Sequence, residues 1–358
     1  FALGRYEQPE RASGALPQRP DATARTHTQP QRHPFVTMRA DDIVLYDMDM
    51  GPFASMCRLQ LAEKGIAYKA RPVSGATMEN LEPFYAHLNP NMTVPTVSLK
   101  KEGKGEATLL TDSRDILEHF EDSDEGVSLI PGGKKRDVWR FIDEMYAIKI
   151  DSLYINNFRE NSPSMFDLMR NGMLKKKLDT LELYAQKYPE LKEQYEQKRA
   201  KQLEVRATVY DSTQLCEENK VKLAALMDNA ESLLAKSKEG MGEEAGYKDY
   251  WLFGAEYSLA DAVLTCFLSS LGMFDLVDLE GKPEVASFLA RAKKRPSYKA
   301  ARIVESIPMK MKMMLMPLLL VHKIKSLFSK GAEEADKAFA TVKKSANEKL
   351  DEVVGAKK

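Results

Sequence analysis

Two patterns divide this chain and limit the folds that it can adopt. Residues 41–122 alternate between short apolar runs typical of strands and amphipathic runs typical of helices. Their order is strand, helix, strand, helix, two strands and helix, and we expect the two consecutive strands to pair antiparallel around the turn at 101–104. After residue 122 the apolar spacing is helical throughout. The sequence therefore predicts an α/β unit of about 80 residues, followed by an all-helical part.

The composition excludes several classes of function. The 53 basic residues are balanced by 53 acidic ones, so the chain lacks the positive excess typical of nucleic-acid binding, and no nucleic-acid partner is expected. The three cysteines form no CxxC pair and the five histidines are scattered, which predicts no metal site and a reducing compartment. No apolar run reaches the roughly 18 residues that a membrane-spanning helix needs. We expect a cytoplasmic protein, with association with an organelle (mitochondrion or plastid) as the alternative.

The two ends of the chain differ from its centre. Residues 1–40 contain five prolines and six arginines but no lysine, and we expect them to be disordered. They are either an organelle transit peptide or sequence upstream of a start at Met38. Residues 306–358 combine a basic apolar segment with an amphipathic tail. Within them, residues 307–330 carry five lysines around a methionine-rich centre, and either lie at a membrane interface or pack on the helical part.

The helical part is predicted to cover residues 123–305. Its residues 174–238 are long and highly charged, with broken heptads, and we interpret them as an extended helical hairpin inserted into the domain. Further on, Ser258 and Asp261 in "YSLADAVL" have the spacing of a capping box before an apolar helix. We assign that pair a structural role.

Two short motifs in the α/β unit have both a functional and a structural interpretation. Pro95 in "TVPTV" interrupts a strand pattern, which indicates either a cis turn that presents the preceding backbone to a ligand or an ordinary edge-strand proline. Asp112 and Ser113 in "TDSRDILEHF" begin a helix. The free N–H groups of a helix start bind anions, although simple capping explains the same residues.

Taken together, the motifs resemble the glutathione S-transferase superfamily over residues 41–307. The resemblance depends on the order and spacing of "GPFASMCRLQLAEKG", "LNPNMTVPTVSL", "LLTDSRDILEHFE" and "WLFGAEYSLADAVL". It implies a thioredoxin-like N-terminal domain over 41–122 and an all-α glutathione-transferase C-terminal domain over 123–305. The insertion is similar to that of the ganglioside-induced differentiation-associated subfamily.

The resemblance also implies a function and its residues. Glutathione would be a substrate, conjugated to a small hydrophobic electrophile in a detoxification reaction, and the chain would form a homodimer unless the insertion blocks or replaces that interface. The electrophile wall would include Tyr146, Tyr154 and Phe158. The implied glutathione-binding residues are Phe53, Val94, Pro95, Asp112 and Ser113.

The catalytic position is the point at which the sequence departs from the family pattern. Transferases of the serine and cysteine types carry the residue that activates the thiol directly before "PF", where this chain has Gly51. Tyr46 and Ser55 are the candidate replacements, whereas Cys57 is interpreted as a packed core thiol. We therefore expect glutathione binding with weak conjugating activity. The alternative is a noncatalytic transferase-like protein that binds a partner or a membrane.

Overall fold

A computed structural model describes residues 42–100, 107–241, 249–307 and 309. The predicted leader lies outside the described residues, and so does nearly all of the predicted tail, including the candidate membrane segment 307–330 apart from residues 307 and 309. Residues 42–156 and 176–306 belong to one compact unit, and residues 157–175 belong to a second. The α/β part and most of the helical part thus share one unit, and the domain boundaries drawn from the sequence stay predictions.

The α/β part is built on a four-stranded mixed sheet with the strand order β2-β1-β3-β4. Strand β1 pairs parallel with β2 and antiparallel with β3, and β3 pairs antiparallel with β4. The strands are β1 (Ile43–Asp47), β2 (Lys69–Pro72), β3 (Thr96–Leu99) and β4 (Thr108–Leu110).

The first helix begins and ends where its terminal residues predict. Helix α1 starts at Pro52, a residue suited to a first turn, and stops at Gly65, whose φ of 69° is easily reached by glycine. The helices of the α/β part are α1 (Pro52–Lys64), α2 (Pro83–Leu88) and α3 (Ser113–Asp122). This mixed sheet with its helices and the mostly helical remainder confirm the predicted fold class.

The remaining described elements are helical. They are α4 (Lys135–Tyr146), α5 (Ile150–Asn161), α6 (Pro163–Asp167), α7 (Lys175–Lys187), α8 (Lys192–Val205), α9 (Gln214–Met241), α10 (Leu259–Gly272), α11 (Pro283–Ala292) and α12 (Pro296–Ala300). Helix α10 is buried along nearly its whole length and packs against α1 and α4. Ser258 and Asp261 form the predicted capping box at its start, with each side chain accepting from the other residue's backbone N–H. Within the described ranges, no helix combines the length and apolar character that a membrane crossing requires.

The predicted helical hairpin is only partly correct. Helices α7 and α8 form it, joined by a short 3₁₀ turn at Pro189–Leu191. Helix α9, which the prediction included in the same hairpin, packs instead against α4 and α11. The helical period reveals that a segment is a helix, but it does not reveal which neighbour its apolar face meets.

Candidate functional site

Residues from four separate segments of the chain meet in one cleft. The cleft is small and opens to solvent. Five of the seven predicted site residues contribute to it, whereas Tyr46 and Ser55 do not. The lining residues are Phe53, Thr93, Val94, Pro95, Thr111, Asp112, Ser113 and Tyr146.

The first wall of the cleft is the stretch of backbone that leads into β3. The peptide bond between Val94 and Pro95 is cis, as one of the two interpretations predicted. Among the described residues, no group forms a hydrogen bond with the backbone N–H or C=O of Val94. This wall therefore offers one donor and one acceptor to a ligand that approaches in an extended conformation.

A buried asparagine holds this wall in place. Asn89 directly follows α2 and is fully buried. Its Nδ2 group donates to the carbonyl oxygen of Thr93 at 2.9 Å, to Oγ1 of Thr96 at 2.9 Å and to the carbonyl oxygen of Thr111 at 3.2 Å. The hydroxyl of Tyr85 donates to the same Thr93 carbonyl at 2.7 Å. One side chain thus ties the Thr93–Pro95 wall to the strand end that precedes α3.

The second wall is the start of α3. Asp112 is the N-cap, and its carboxylate accepts from the backbone N–H of Arg114 at 2.8 Å, which confirms the predicted cap. Ser113 is the first helical residue and is buried, and its Oγ accepts a hydrogen bond from the hydroxyl of Tyr146 at 2.9 Å. The helix dipole and the N–H groups of the first turn favour a negatively charged group at this end of the cleft.

The third wall is the start of α1, which contributes the Phe53 side chain. The Phe53 ring lies 5.6 Å, centroid to centroid, from the ring of Tyr146. Gly51 is the N-cap of α1 and provides no side-chain cap. The first-turn N–H groups of α1 are therefore the groups at this point that could stabilise an anion.

Arg58 anchors the loop between β1 and α1 from inside the protein. Its side chain is fully buried and forms an ion pair with Asp47, which is also buried. Its remaining nitrogens donate to the carbonyl oxygens of Asp49 at 3.1 Å and of Ala301 at 2.6 Å. Arg302 donates to the second carboxylate oxygen of Asp47 at 2.8 Å. Sequence reasoning missed this cluster, although a single arginine within the apolar run of α1 was a usable signal.

The hydroxyl of Ser55 belongs to the same anchor. It donates to the carbonyl oxygen of Gly51 at 3.0 Å and accepts from Arg58 at 2.8 Å. Ser55 is buried on the inner side of the loop, away from the residues that line the cleft. The geometry therefore gives Ser55 a part in shaping the loop, and its catalytic role stays a prediction.

Tyr46 also lies outside the cleft lining. It is half-buried in β1 and pairs with Arg71 on one side and Thr96 on the other. Its ring contacts the ring of Tyr85 edge-on at 6.0 Å, and the guanidinium of Arg71 lies 5.3 Å from its centroid. These contacts fit a packed strand aromatic, so the predicted catalytic role of Tyr46 also stays a prediction.

Cys57 is a core residue, as the sequence suggested. It is fully buried, and burial raises the pKa of its thiol far above the usual range despite the neighbouring charge of Arg58. A raised pKa keeps the sulfur protonated and therefore poorly nucleophilic at neutral pH.

Two of the three residues predicted for the electrophile wall, Tyr146 and Tyr154, lie in different surroundings. Tyr146 lines the cleft. Tyr154 is buried elsewhere, with its hydroxyl 2.5 Å from Oγ of Ser270. Phe158 belongs to the second compact unit.

Comparisons with known proteins agree with this architecture. Residues 50–123 match the family model described as the N-terminal domain of glutathione S-transferase. Over these residues the chain is similar to the glutathione S-transferase superfamily. A mouse ganglioside-induced differentiation-associated protein 1-like 1 is 25% identical over 283 residues, covering 72% of this chain and 73% of the relative. The glutathione S-transferase TCHQD of Arabidopsis thaliana is 25% identical over 256 residues, covering 68% of this chain and 82% of the relative.

A solved structure shares the fold of this chain. The β-etherase LigF from Sphingobium sp. strain SYK-6 superposes with a TM-score of 0.52 at 21% sequence identity, covering 73% of this chain and 98% of that chain. The family model and the mouse relative confirm the predicted resemblance to the superfamily and its similarity to the ganglioside-induced differentiation-associated subfamily.

Helices α7 and α8 pack against the segment that leads into the cleft. Their buried face packs against residues 78–92, which lead into the Thr93–Pro95 wall. Tyr195 of α8 is fully buried, and its hydroxyl donates to the carbonyl oxygen of Leu81 at 2.9 Å. Lys198, one turn further along, donates to the carbonyl oxygen of Asn91 at 2.6 Å. Burial, together with the positive charges of nearby lysines, lowers the pKa of Lys198 well below its usual range.

Proposed function

We propose that the cleft binds glutathione and that the protein is a glutathione transferase with weak conjugating activity. The observation that carries the proposal is the meeting of Val94, Asp112 and Ser113 in one cleft with the start of α1. The resemblance to the family assigned these residues to glutathione. The name of the Arabidopsis relative, a glutathione S-transferase, supports the same assignment.

The three walls match the cysteinyl backbone, the γ-glutamyl end and the thiol of glutathione by their chemistry. The backbone of Val94 suits the central cysteinyl residue, which exposes one N–H and one C=O group. The start of α3 suits the γ-glutamyl end, because Ser113 and the helix N–H groups favour its carboxylate and the Asp112 carboxylate favours its ammonium. The start of α1 then faces the thiol, since the remaining N–H groups stabilise a thiolate.

Conjugation would follow from that placement. The thiol loses its proton to solvent, and the thiolate sulfur donates an electron pair to a carbon of the electrophile. A carbon–sulfur bond forms while the leaving group departs with its own bonding pair. The protein contributes by orienting the sulfur and by lowering the pKa of the thiol.

Gly51 is the reason that we expect this activity to be weak. A serine or cysteine at this position would add one hydrogen bond to the thiolate, an interaction of about 1.5–3 kcal/mol for a charged partner. Gly51 leaves only the backbone N–H groups and the dipole of α1. The same observation favours the second candidate function, a noncatalytic protein that retains the glutathione pocket and interacts with a partner or a membrane.

Replacing Ser113 tests the binding part of the proposal. We expect Ser113→Ala to weaken glutathione binding about tenfold, because the buried hydroxyl that would bind the γ-glutamyl carboxylate is removed. Isothermal titration calorimetry of the full chain with glutathione measures the change.

Ser123 provides a matched control at the other end of the same helix, where its Oγ donates to the carbonyl oxygen of Phe120 at 2.9 Å. We expect Ser123→Ala to leave the affinity unchanged. Equal affinities for the parent chain and Ser113→Ala would contradict the proposed placement.

A further inference from the structure

We propose that Tyr146 is a positioning residue for the γ-glutamyl group of glutathione and that it acts through the hydroxyl of Ser113. This inference rests on the proposed function and deepens it. It also changes the role that the sequence suggested for Tyr146, which was a place in the electrophile wall. The juxtaposition that carries the proposal is a phenol from the helical part bonded to the buried serine at the anion-binding end of the cleft.

Tyr146 lies on the face of α4 that contacts the start of α3. Trp139, Asp143 and Tyr146 are spaced by four and then three residues, so their side chains lie along one stripe of the helix. All three contact the first two residues of α3. The guanidinium of Arg114 lies 3.7 Å from the centroid of the Trp139 ring. The same guanidinium donates a hydrogen bond to the carboxylate of Asp143 at 2.9 Å. The hydroxyl of Tyr146 donates to Oγ of Ser113.

These contacts fix the tyrosine relative to the ligand-binding end of α3. Arg114 is tied to the same helix that carries Tyr146, and its backbone N–H is bonded to the Asp112 cap. The ring of Tyr146 also packs on Phe53 across the cleft. The phenol is therefore held between the start of α1 and the start of α3, with its oxygen directed to Ser113.

The direction of the hydrogen bond gives the tyrosine its function. The phenol donates to Oγ of Ser113, so the single hydroxyl proton of Ser113 remains available to a ligand. An accepted hydrogen bond polarises the serine O–H group and strengthens the bond that it donates. A carboxylate at the start of α3 is the partner that gains most from such a donor.

Ligand selectivity tests this role. The parent chain and Tyr146→Phe are titrated by calorimetry with glutathione, with γ-glutamylcysteine and with cysteinylglycine, which lacks the γ-glutamyl group. We expect Tyr146→Phe to lower the affinity for glutathione and γ-glutamylcysteine about tenfold and to leave the affinity for cysteinylglycine unchanged. The ratio of the affinities for glutathione and cysteinylglycine then falls by the same factor. In a Ser113→Ala background, the same replacement is expected to have no further effect.

Tyr154→Phe is the matched control, because it removes a buried phenolic hydroxyl bonded to Ser270 in the same helical part. Equal losses for all three ligands, or a tenfold loss that persists in the Ser113→Ala background, would contradict the inference. The inference would also be contradicted if the parent chain prefers glutathione to cysteinylglycine and Tyr146→Phe keeps that preference. A parent chain with no saturable glutathione binding would instead overturn the proposed function, and the inference with it.

Discussion

Replacing Arg58 with methionine is expected to lower the free energy of unfolding by about 3 kcal/mol or more, among the largest effects of a single substitution in this protein. The replacement leaves the Asp47 carboxylate buried without its main partner, and this carboxylate is only 2% exposed. It also removes the donors to the carbonyl oxygens of Asp49 and Ala301. Chemical denaturation followed by circular dichroism measures the loss.

Two further variants distinguish the loss of stability caused by an unpaired buried charge from the loss caused by altered packing. Arg302 contacts the same carboxylate from a half-exposed position, and we expect Arg302→Met to cost no more than about 1 kcal/mol. The double variant Arg58→Met with Asp47→Leu removes both charges and is expected to be more stable than Arg58→Met alone. If Arg58→Met and Arg302→Met lower the free energy of unfolding by the same amount, the buried ion pair does not anchor the loop.

Truncating Tyr195 is expected to have a comparable effect. Tyr195→Ala should lower the free energy of unfolding by about 3–5 kcal/mol, because it removes a fully buried ring from the core between α7, α8 and residues 78–92. Tyr195→Phe keeps the ring and loses only the hydrogen bond to Leu81, so about 1 kcal/mol is expected.

The same pair of variants tests the support that the insertion gives to the cleft. Tyr195 does not line the cleft, yet the segment that it packs against continues directly into Thr93. We expect Tyr195→Ala to weaken glutathione binding under conditions in which the variant is still folded, and Tyr195→Phe to preserve it. Unchanged affinity in a folded Tyr195→Ala variant would show that the insertion and the cleft are independent.

The sequence predicted those features that depend on nearby residues. The ends of α1 and α3 were predictable because Gly65 and Asp112 have local conformational or hydrogen-bonding roles. The capping box of Ser258 and Asp261 was predictable for the same reason. The approximate location of the cleft followed from family motifs, not from physical reasoning on single residues.

Features that depend on distant partners could not be predicted. Arg58 forms an ion pair with Asp47 and donates to the carbonyl oxygen of Ala301. The local sequence pattern of α1 does not indicate either partner. The helical period of α9 likewise did not show that it packs on α4 and α11 instead of extending the hairpin. Tyr146 was predicted to belong to the electrophile wall, whereas its bond to Ser113 depends on the orientation of two helices.

The cleft that we propose binds glutathione has no side-chain hydroxyl at position 51, the start of its thiol end. Gly51→Ser would restore the hydroxyl, since Gly51 has ordinary extended dihedral angles (φ −75°, ψ 119°). The new Cβ would lie 3.2 Å from the carbonyl oxygen of Met48, so the loop must shift by a few tenths of an ångström. Gly51→Ala introduces the same crowding without the hydroxyl and is the matched control.

The most direct test is the thiolate absorbance of bound glutathione as a function of pH, measured for the parent chain and these two variants. We predict saturable binding by the parent chain with a small decrease in the thiol pKa. Gly51→Ser should then lower the thiol pKa by about one further unit, equivalent to 1.4 kcal/mol, while Gly51→Ala should not. A thiol pKa already far below that of free glutathione in the parent chain, or no saturable binding at all, would contradict the account.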